Sequence, residues 1–400
     1  MAKSHIKSLN FADFLKAGEK RENIIAKAPA KPVPPTSSYR ANRIASALHP
    51  ERQSLIVSKI DEIADGVKSI HLVGNVKKGT EKVAYFSAGQ YLVLFLDING
   101  AKITRPYSIS SSPKQALDGE YVLTIKRVNG GLASNFILDT FEVGTEVEAS
   151  APEGEFTYEP LRDAKNVVAL AGGSGITPFL SLAKAIENGD EDCSLTLIYG
   201  ARTEKEILFK DTFDRIADTC NKVNVIYVLS DERNDKYENG FITADLISKH
   251  APEGDYSVFI CGPQAMYDFV DKELAKLNLR KKFIRHETFG EYRNPQKDAD
   301  YPYGGISEVK ITAIIRDEKY EITASTNDTI LNSLEKNGIA VPSRCRSGVC
   351  GWCHSKLVDG TVYIPKSVDG RRLADYDYGY IHPCCSFPLS DVTLIASVSK

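Results

Sequence analysis

Three cysteines stand at C-x4-C-x2-C spacing in Arg344-Cys345-Arg346-Ser347-Gly348-Val349-Cys350-Gly351-Trp352-Cys353, and a Cys384-Cys385 pair follows further along. Thiolates at this spacing suit a plant-type [2Fe–2S] cluster. Each iron takes two sulfurs, so a compact loop supplies three ligands and a later segment the fourth. Gly348 and Gly351 suit such a loop, because residues without a Cβ let backbone N–H groups turn toward the sulfurs. Structural zinc also uses C-x2-C pairs, but normally in two paired hairpins. Spacing alone does not choose between Cys384 and Cys385. His354 and His382 flank the motif and raise a Rieske centre, where two histidines replace two cysteines; with four cysteines available, that reading is the weaker one. A one-electron centre needs a source and a destination of electrons, and the surrounding elements must supply both.

A chain of 400 residues exceeds one ordinary core, so two or three domains are expected. Its 42% hydrophobic and 26% charged residues are those of a soluble globular protein. A net charge of −3 gives no case for nucleic acid as the main partner. No apolar run reaches the roughly 20 residues of a membrane span, and the N-terminus lacks the apolar stretch of a secretory signal. Eight cysteines, half of them in one motif, argue against a disulfide framework. Cys193, Cys220 and Cys261 read as free thiols of a reducing cytoplasm. Residues 1–52 are basic, with ten Lys/Arg against four Asp/Glu. Phe11, Phe14 and Leu15 form one face of a short predicted helix with Asn10 as N-cap, and residues 28–35 form a Pro-rich spacer. This segment reads as a terminal extension packed on the body, with a docking arm as the alternative.

Stretches 55–63, 67–74, 91–98 and 121–128 have strand composition, broken at Asp65-Gly66, Asn99-Gly100 and Asp118-Gly119. They predict a small antiparallel barrel. Arg105-Pro106-Tyr107-Ser108 lies within it, and Lys126 leads toward Gly130-Gly131-Leu132-Ala133-Ser134. Residues 167–171 then form a buried-strand run. Gly172-Gly173-Ser174-Gly175-Ile176-Thr177-Pro178 follows, and after it a helix with Phe179, Leu182 and Ile186 on one face. Strand, Gly-rich turn and helix bring backbone N–H groups to a pyrophosphate, and Pro178 suits the first helical turn. Predicted strands 194–199, 224–229 and 257–260 end at Gly200-Ala201-Arg202-Thr203, Ser230-Asp231-Glu232-Arg233 and Cys261-Gly262-Pro263. Alternation of strand and helix predicts a parallel sheet with ligands at the carboxyl ends of its strands.

These motifs, in this order over about residues 53–400, resemble those of the ferredoxin–NADP⁺ reductase superfamily. The resemblance implies that Arg105 holds the flavin pyrophosphate, that Tyr107, after Pro106, packs on the ring, and that Ser108 lies near N5. It also implies that Lys126, Gly130, Gly131 and Ser134 meet phosphate at a short helix starting from Asn135. FAD rather than FMN is the implied flavin. Gly172, Gly173, Gly175 and Thr177 would form the nicotinamide turn, and Cys261, Gly262 and Pro263 the pocket beside the hydride-transferring carbon. Where NADPH users of the superfamily place a Ser-Arg pair, this chain has Ser230-Asp231. A carboxylate bonds a free ribose hydroxyl and repels a 2′-phosphate, so Asp231 implies NADH, while Arg233 keeps NADPH open; Arg202 is a further cofactor-binding candidate. Glu287 and Phe289 are implied to lie by the flavin. His286 stands one position late for the family's histidine, which leaves it without an implied role.

Residues 291–307 read as a polar interdomain linker. Beyond it, 309–316 and 319–324 read as a strand pair, 328–337 as a helix facing inward with Ile330, Leu331 and Leu334, and 356–359 as a strand. With the cluster loop they resemble a β-grasp ferredoxin. Relatives start the closing segment with Cys-x-x-x-Pro; Pro388 then implies Cys384 as fourth ligand beside Cys345, Cys350 and Cys353. The expectation is a multidomain α/β plus β chain: a basic extension (1–52), an antiparallel β-barrel flavin domain (53–160), a parallel-sheet α/β nicotinamide domain (161–290), a linker (291–307) and a β-grasp ferredoxin domain (308–400). Ser108, Thr177, Cys261 and Glu287 are the expected catalytic residues. The resemblance implies a cytoplasmic reductase passing electrons from NADH through FAD and the cluster to a redox protein, such as an oxygenase or hybrid-cluster component. The competing readings are a subunit of a larger redox complex and a redox-sensing module. Oligomeric state and the identity of the acceptor are not encoded in any motif.

Overall fold

The computed structural model describes residues 11–27, 35, 38–288, 290–302 and 305–396. The chain divides into two units, Met1–Ala47 and Leu48–Lys400. The first carries helix α1 (Phe11–Lys27), and helix α2 (Arg40–Leu48) falls almost wholly within it. Asn10 and residues 28–34 lie outside the described residues, as do the side chains of Phe11, Phe14 and Leu15. Among the described residues no helix is long and apolar enough to cross a membrane.

The second unit opens with six antiparallel strands: β1 (Gln53–Ala64), β2 (Val67–Gly74), β3 (Tyr91–Ile98), β4 (Ala101–Ser108), β5 (Glu120–Lys126) and β6 (Glu146–Ala149), ordered β4-β3-β6-β1-β2-β5. The two edge strands meet through an Ile109–Leu123 bridge, which closes the sheet into the expected barrel. Period-two alternation drives it: Leu55, Val57, Ile70 and Leu72 point inward and are buried. Asn99 and Gly100 both have positive φ (54° and 84°), as a tight turn between twisted strands requires. Helices α3 (Pro113–Leu117) and α4 (Leu132–Thr140) flank β5. Helix α4 begins at Leu132, three residues earlier than the expected Asn135, because Gly131 already occupies the N-cap.

The next sheet is parallel: β7 (Asn166–Gly172), β8 (Ser194–Ala201), β9 (Val223–Leu229), β10 (Glu238–Asn239), β11 (Tyr256–Cys261) and β12 (Ile284–His286), in the order β10-β9-β8-β7-β11-β12. Helices α5 (Thr177–Asn188), α6 (Lys210–Thr219), α7 (Ala244–His250) and α8 (Gln264–Leu274) connect it. The chain runs outward from β7 to β8 and β9, then returns to the other side of β7 at β11. That reversal leaves a crevice at the carboxyl ends of β7 and β11. Phe156, just past the barrel, sits 5.7 Å from the Phe179 ring and 5.1 Å from Phe259, joining barrel and parallel sheet in one core.

The last part holds β13 (Glu308–Ile315), β14 (Glu318–Ser325), helix α9 (Ile330–Lys336), β15 (Ser355–Asp359), β16 (Val362–Tyr363), helix α10 (Leu373–Asp377), β17 (Tyr380–Ile381), β18 (Phe387–Pro388) and β19 (Val392–Ala396). The main sheet runs β14-β13-β19-β15-β17, with β13 and β19 parallel: a β-grasp arrangement. Thr329 caps α9 by accepting from the Asn332 N–H. Ile330, Leu331 and Leu334 are wholly buried, each contributing about 1.5–3 kcal/mol of apolar burial.

Candidate active site

Strand β4 delivers Arg105, Pro106, Tyr107 and Ser108 to the wall of a cavity of about 580 Å³. Lys126, at the end of β5, and Gly130, Gly131 and Ser134, at the turn into α4, line the same cavity. So do Ser174 and Thr177 from the turn after β7, and Thr329 and Lys336 from the ferredoxin part. One cavity thus gathers residues from all three parts of this unit. Gly130 has φ +67°, the conformation its tight turn needs. A Cβ on Gly131 would lie 2.7 Å from the Ser134 hydroxyl, so the turn can close only around glycine. With no side chain capping the start of α4, its free N–H groups, with Arg105 and Lys126, make a wall suited to phosphate. Burial raises the Tyr107 hydroxyl to about 12, so the ring stays neutral. Tyr107 then offers an uncharged aromatic face to a flat ring. The donor set and the cradle fit a flavin nucleotide.

Thr177 is buried, and its hydroxyl donates to the Ser174 carbonyl at 3.1 Å. The turns after β7 and β11 press on each other. A Cβ on Gly175 would come within 2.2 Å of the Cys261 carbonyl oxygen, and one on Gly172 within 2.6 Å of Met266 Sδ. The Gly262 N–H donates to the Tyr267 hydroxyl at 3.0 Å, which itself donates to the Glu287 carbonyl. Cys261 is buried there, and burial, with Glu287 nearby, pushes its thiol up. Glu287 is also buried. Burial, reinforced by Cys345, raises its carboxyl well above the usual carboxylate range. Glu287 lies between the nicotinamide turns and the cysteine loop. Gly173 begins the short turn after β7, and Pro263 is the N-cap of α8. Arg202 and Asp231 follow β8 and β9 and are exposed; the Asp231 N–H donates to the Arg202 carbonyl at 2.9 Å. Arg202 pairs with Glu206 at 2.7 Å, and Asp231 accepts from Ser230 at 2.6 Å. His286 pairs with Asp271 at 2.7 Å. Phe289 lies outside the described residues.

In the cysteine loop the N–H groups of Ser347 and Cys350 donate to Cys345 Sγ at 3.5 and 3.4 Å. The thiol of Cys345 is within hydrogen-bonding reach of Cys350 and Cys384, and Cys384 is within reach of Cys353 and Cys385. Among the described residues no three ligand-type side chains converge on a single-ion site. Thiols gathered from one compact loop and one later segment suit two irons, each taking two thiolates. A Cβ on Gly348 would strike the Val368 carbonyl at 2.0 Å, so the loop is wrapped too tightly for a side chain there. The Cys385 thiol donates to the His382 carbonyl at 3.4 Å and also lies beside the loop, where a Cβ on Gly348 would come within 2.9 Å of its sulfur. His382 Nδ1 donates to the Gly348 carbonyl at 2.7 Å, and His354 pairs with Asp375 at 2.7 Å.

Sequence reasoning missed Glu291, Glu335 and Arg346. Glu291 opens the expected linker, but its carboxylate pairs with Arg346 and lies 3.3 Å from Arg105. The linker is fastened further: Tyr363 donates to Asp298 and Asp300, both at 2.8 Å. An arginine inside a cysteine motif was the available signal, because a charge so placed needs a buried partner.

Residues 55–158 match the oxidoreductase FAD-binding domain family, 169–272 the oxidoreductase NAD-binding domain family, and 313–389 the 2Fe-2S iron-sulfur cluster binding domain family. The ferredoxin reductase component of 3-ketosteroid-9-alpha-monooxygenase from Mycobacterium tuberculosis is 31% identical over 313 residues, 76% of this chain and 84% of that protein. The reductase component of glycine betaine monooxygenase from Chromohalobacter salexigens is 26% identical over 326 residues, 78% and 87% of the two chains. The solved structure of phthalate dioxygenase reductase shares the fold with a TM-score of 0.62, at 24% identity, over 87% of this chain and 98% of that one. The chain therefore belongs to the ferredoxin–NADP⁺ reductase superfamily, in the group whose flavin and nicotinamide domains continue into a C-terminal [2Fe–2S] ferredoxin domain.

Proposed function

We propose that this chain is the reductase component of a two-protein redox system, accepting hydride from NADH and delivering electrons singly to an acceptor of the oxygenase type. The observation that carries this reading is the single cavity walled by the flavin motifs, the nicotinamide turn and the ferredoxin helix. FAD bound there would accept hydride and release electrons one at a time, and a [2Fe–2S] cluster would carry them singly. Lys126 and the N-terminus of α4 would balance the phosphate charge, and Arg105, its charge shared with Glu291 and Glu335, would add a hydrogen-bond donor. Tyr107 would offer its ring, and Ser108 a hydrogen bond where negative charge develops. Thr177 and the Cys261–Gly262–Pro263 turn would bracket the nicotinamide. Glu287, buried beside Cys261, would wall the same pocket. Cys345, Cys350, Cys353 and Cys384 would ligate the cluster. Asp231 would bond a free ribose hydroxyl and disfavour a 2′-phosphate, with Arg202 beside it. Phe289 takes its place by the flavin from the family pattern alone.

The acceptor class is supported by relatives that are reductase components of monooxygenases. Free thiols at Cys193, Cys220 and Cys261 support a cytoplasmic setting. Oxygen-free mixing with NADH tests the electron path. Flavin absorbance should bleach first and cluster absorbance next, and kcat/KM should favour NADH over NADPH. Bleaching that stops at the flavin would overturn the path. A preference for NADPH would overturn the role of Asp231.

A further inference from the structure

Arg346 lies in the cysteine loop with φ +60°, and its side chain is completely buried. Its Nε donates to Glu291 at 2.8 Å, its Nη1 to Glu335 at 2.7 Å, and its Nη2 to Glu335 at 2.9 Å and to Asn332 at 2.8 Å. Arg105 faces the same two carboxylates, 3.3 Å from Glu291 and 3.4 Å from Glu335. Its Nη1 also donates to the Thr104 carbonyl at 2.8 Å. Two guanidiniums and two carboxylates balance in charge. They come from four separate segments: the barrel strand β4, the stretch after β12, helix α9 and the cysteine loop. Tyr107 and Ser108 lie two and three residues beyond Arg105, and Cys345 is next to Arg346.

We propose that Arg346 is a positioning residue for electron passage from flavin to cluster, its planar fork fixing the cysteine loop against the flavin strand through carboxylates shared with Arg105. A guanidinium fork fixes direction as well as charge, which an ammonium cannot do. Arg346, buried, and Arg105, partly buried, carry like charges that the two carboxylates between them offset, so loss of either carboxylate leaves an uncompensated guanidinium. Thr104 and Ser343, whose hydroxyls meet at 2.6 Å, and the Arg344–Glu153 pair hold the same two surfaces together. The inference rests on the reductase reading above.

Arg346→Lys tests it, because lysine keeps the charge and loses the fork. In the flavin- and cluster-loaded protein mixed with NADH without oxygen, flavin reduction is expected at the parental rate. Cluster reduction should be about tenfold slower or more. Amide hydrogen exchange should rise across 344–353 and 291–302. Unchanged cluster reduction overturns the proposal, even if exchange rises, because the residue would then serve stability alone. Slower reduction with unchanged exchange and a shifted cluster potential also overturns it, by assigning the effect to charge rather than position. Glu335→Gln provides a second variant should Arg346→Lys fail to fold, and it should slow the same step. In the double variant the two slowings should not multiply, since the residues act as one unit; fully multiplied slowing overturns the proposal. Failure of the underlying reading is distinguishable, because NADH would then leave the parent cluster unreduced.

Discussion

Glu291 reads in the sequence as the first polar residue of a linker, yet in the fold its carboxylate lies between two guanidiniums. Burial alone would raise its pKa, but Arg346 and Arg105 outweigh that and hold it at about 2. A carboxylate depressed from its usual 4.5 contributes stability that is fully present above pH 4.5 and is lost as pH falls toward 2. The contribution is on the order of 3 kcal/mol. Glu291→Gln should be less stable than the parent at neutral pH and converge on it near pH 2. Urea midpoints stepped through that range check this, and parallel curves would refute it. The cysteines make a simpler case. Cys384→Ser should abolish the visible absorbance of the cluster, while Cys385→Ser, whose thiol bonds a backbone carbonyl, should retain it. The metal-type thiols were legible because their meaning lies in local spacing. Glu291, Glu335 and Arg346 were not, because their partners are brought from distant segments and no local pattern records them.

Strands and turns were legible wherever one residue type had a single physical use. Alternation gave β1 to β3, and the Asn99-Gly100 pair marked a turn that needs positive φ at both positions. The apolar run 167–171 followed by Gly-rich residues marked a buried strand feeding a helix. The start of α4 was missed by three residues. Asn135 is a good N-cap type, but Gly131 takes the cap because the preceding turn closes on it. Gly175 shows the limit of motif reasoning. The motif proposes it for the cofactor, and the fold gives it a second use that the motif does not record, the close packing of two turns. Gly175→Ala would drive a Cβ into the Cys261 carbonyl, 2.2 Å away, at a cost of about 1–3 kcal/mol. The expected result is a lower melting temperature and a higher KM for NADH, with cluster absorbance unchanged. An unaltered KM would mean that the two turns do not share the nicotinamide.

At the scale of the molecule, residues 1–47 form their own unit, and the matched families begin at residue 55. Removing residues 1–47 should leave NADH-driven cluster reduction within about twofold of the full chain, as for a domain with its own core. Loss of flavin from the shortened protein would contradict that. The way the barrel, parallel sheet and ferredoxin part close around one cavity was not legible, since no local sequence signal encodes the docking of surfaces. The ferredoxin sheet also imposes an order on synthesis. Its middle strand, β19, lies between β13 and β15 although it is the last strand described. A nascent chain that has not yet emerged past Val392 can complete the barrel and the parallel sheet, but its cysteine loop has no finished scaffold. Iron and sulfide would therefore enter after translation has passed this strand, and ribosome-stalled chains should acquire flavin before metal.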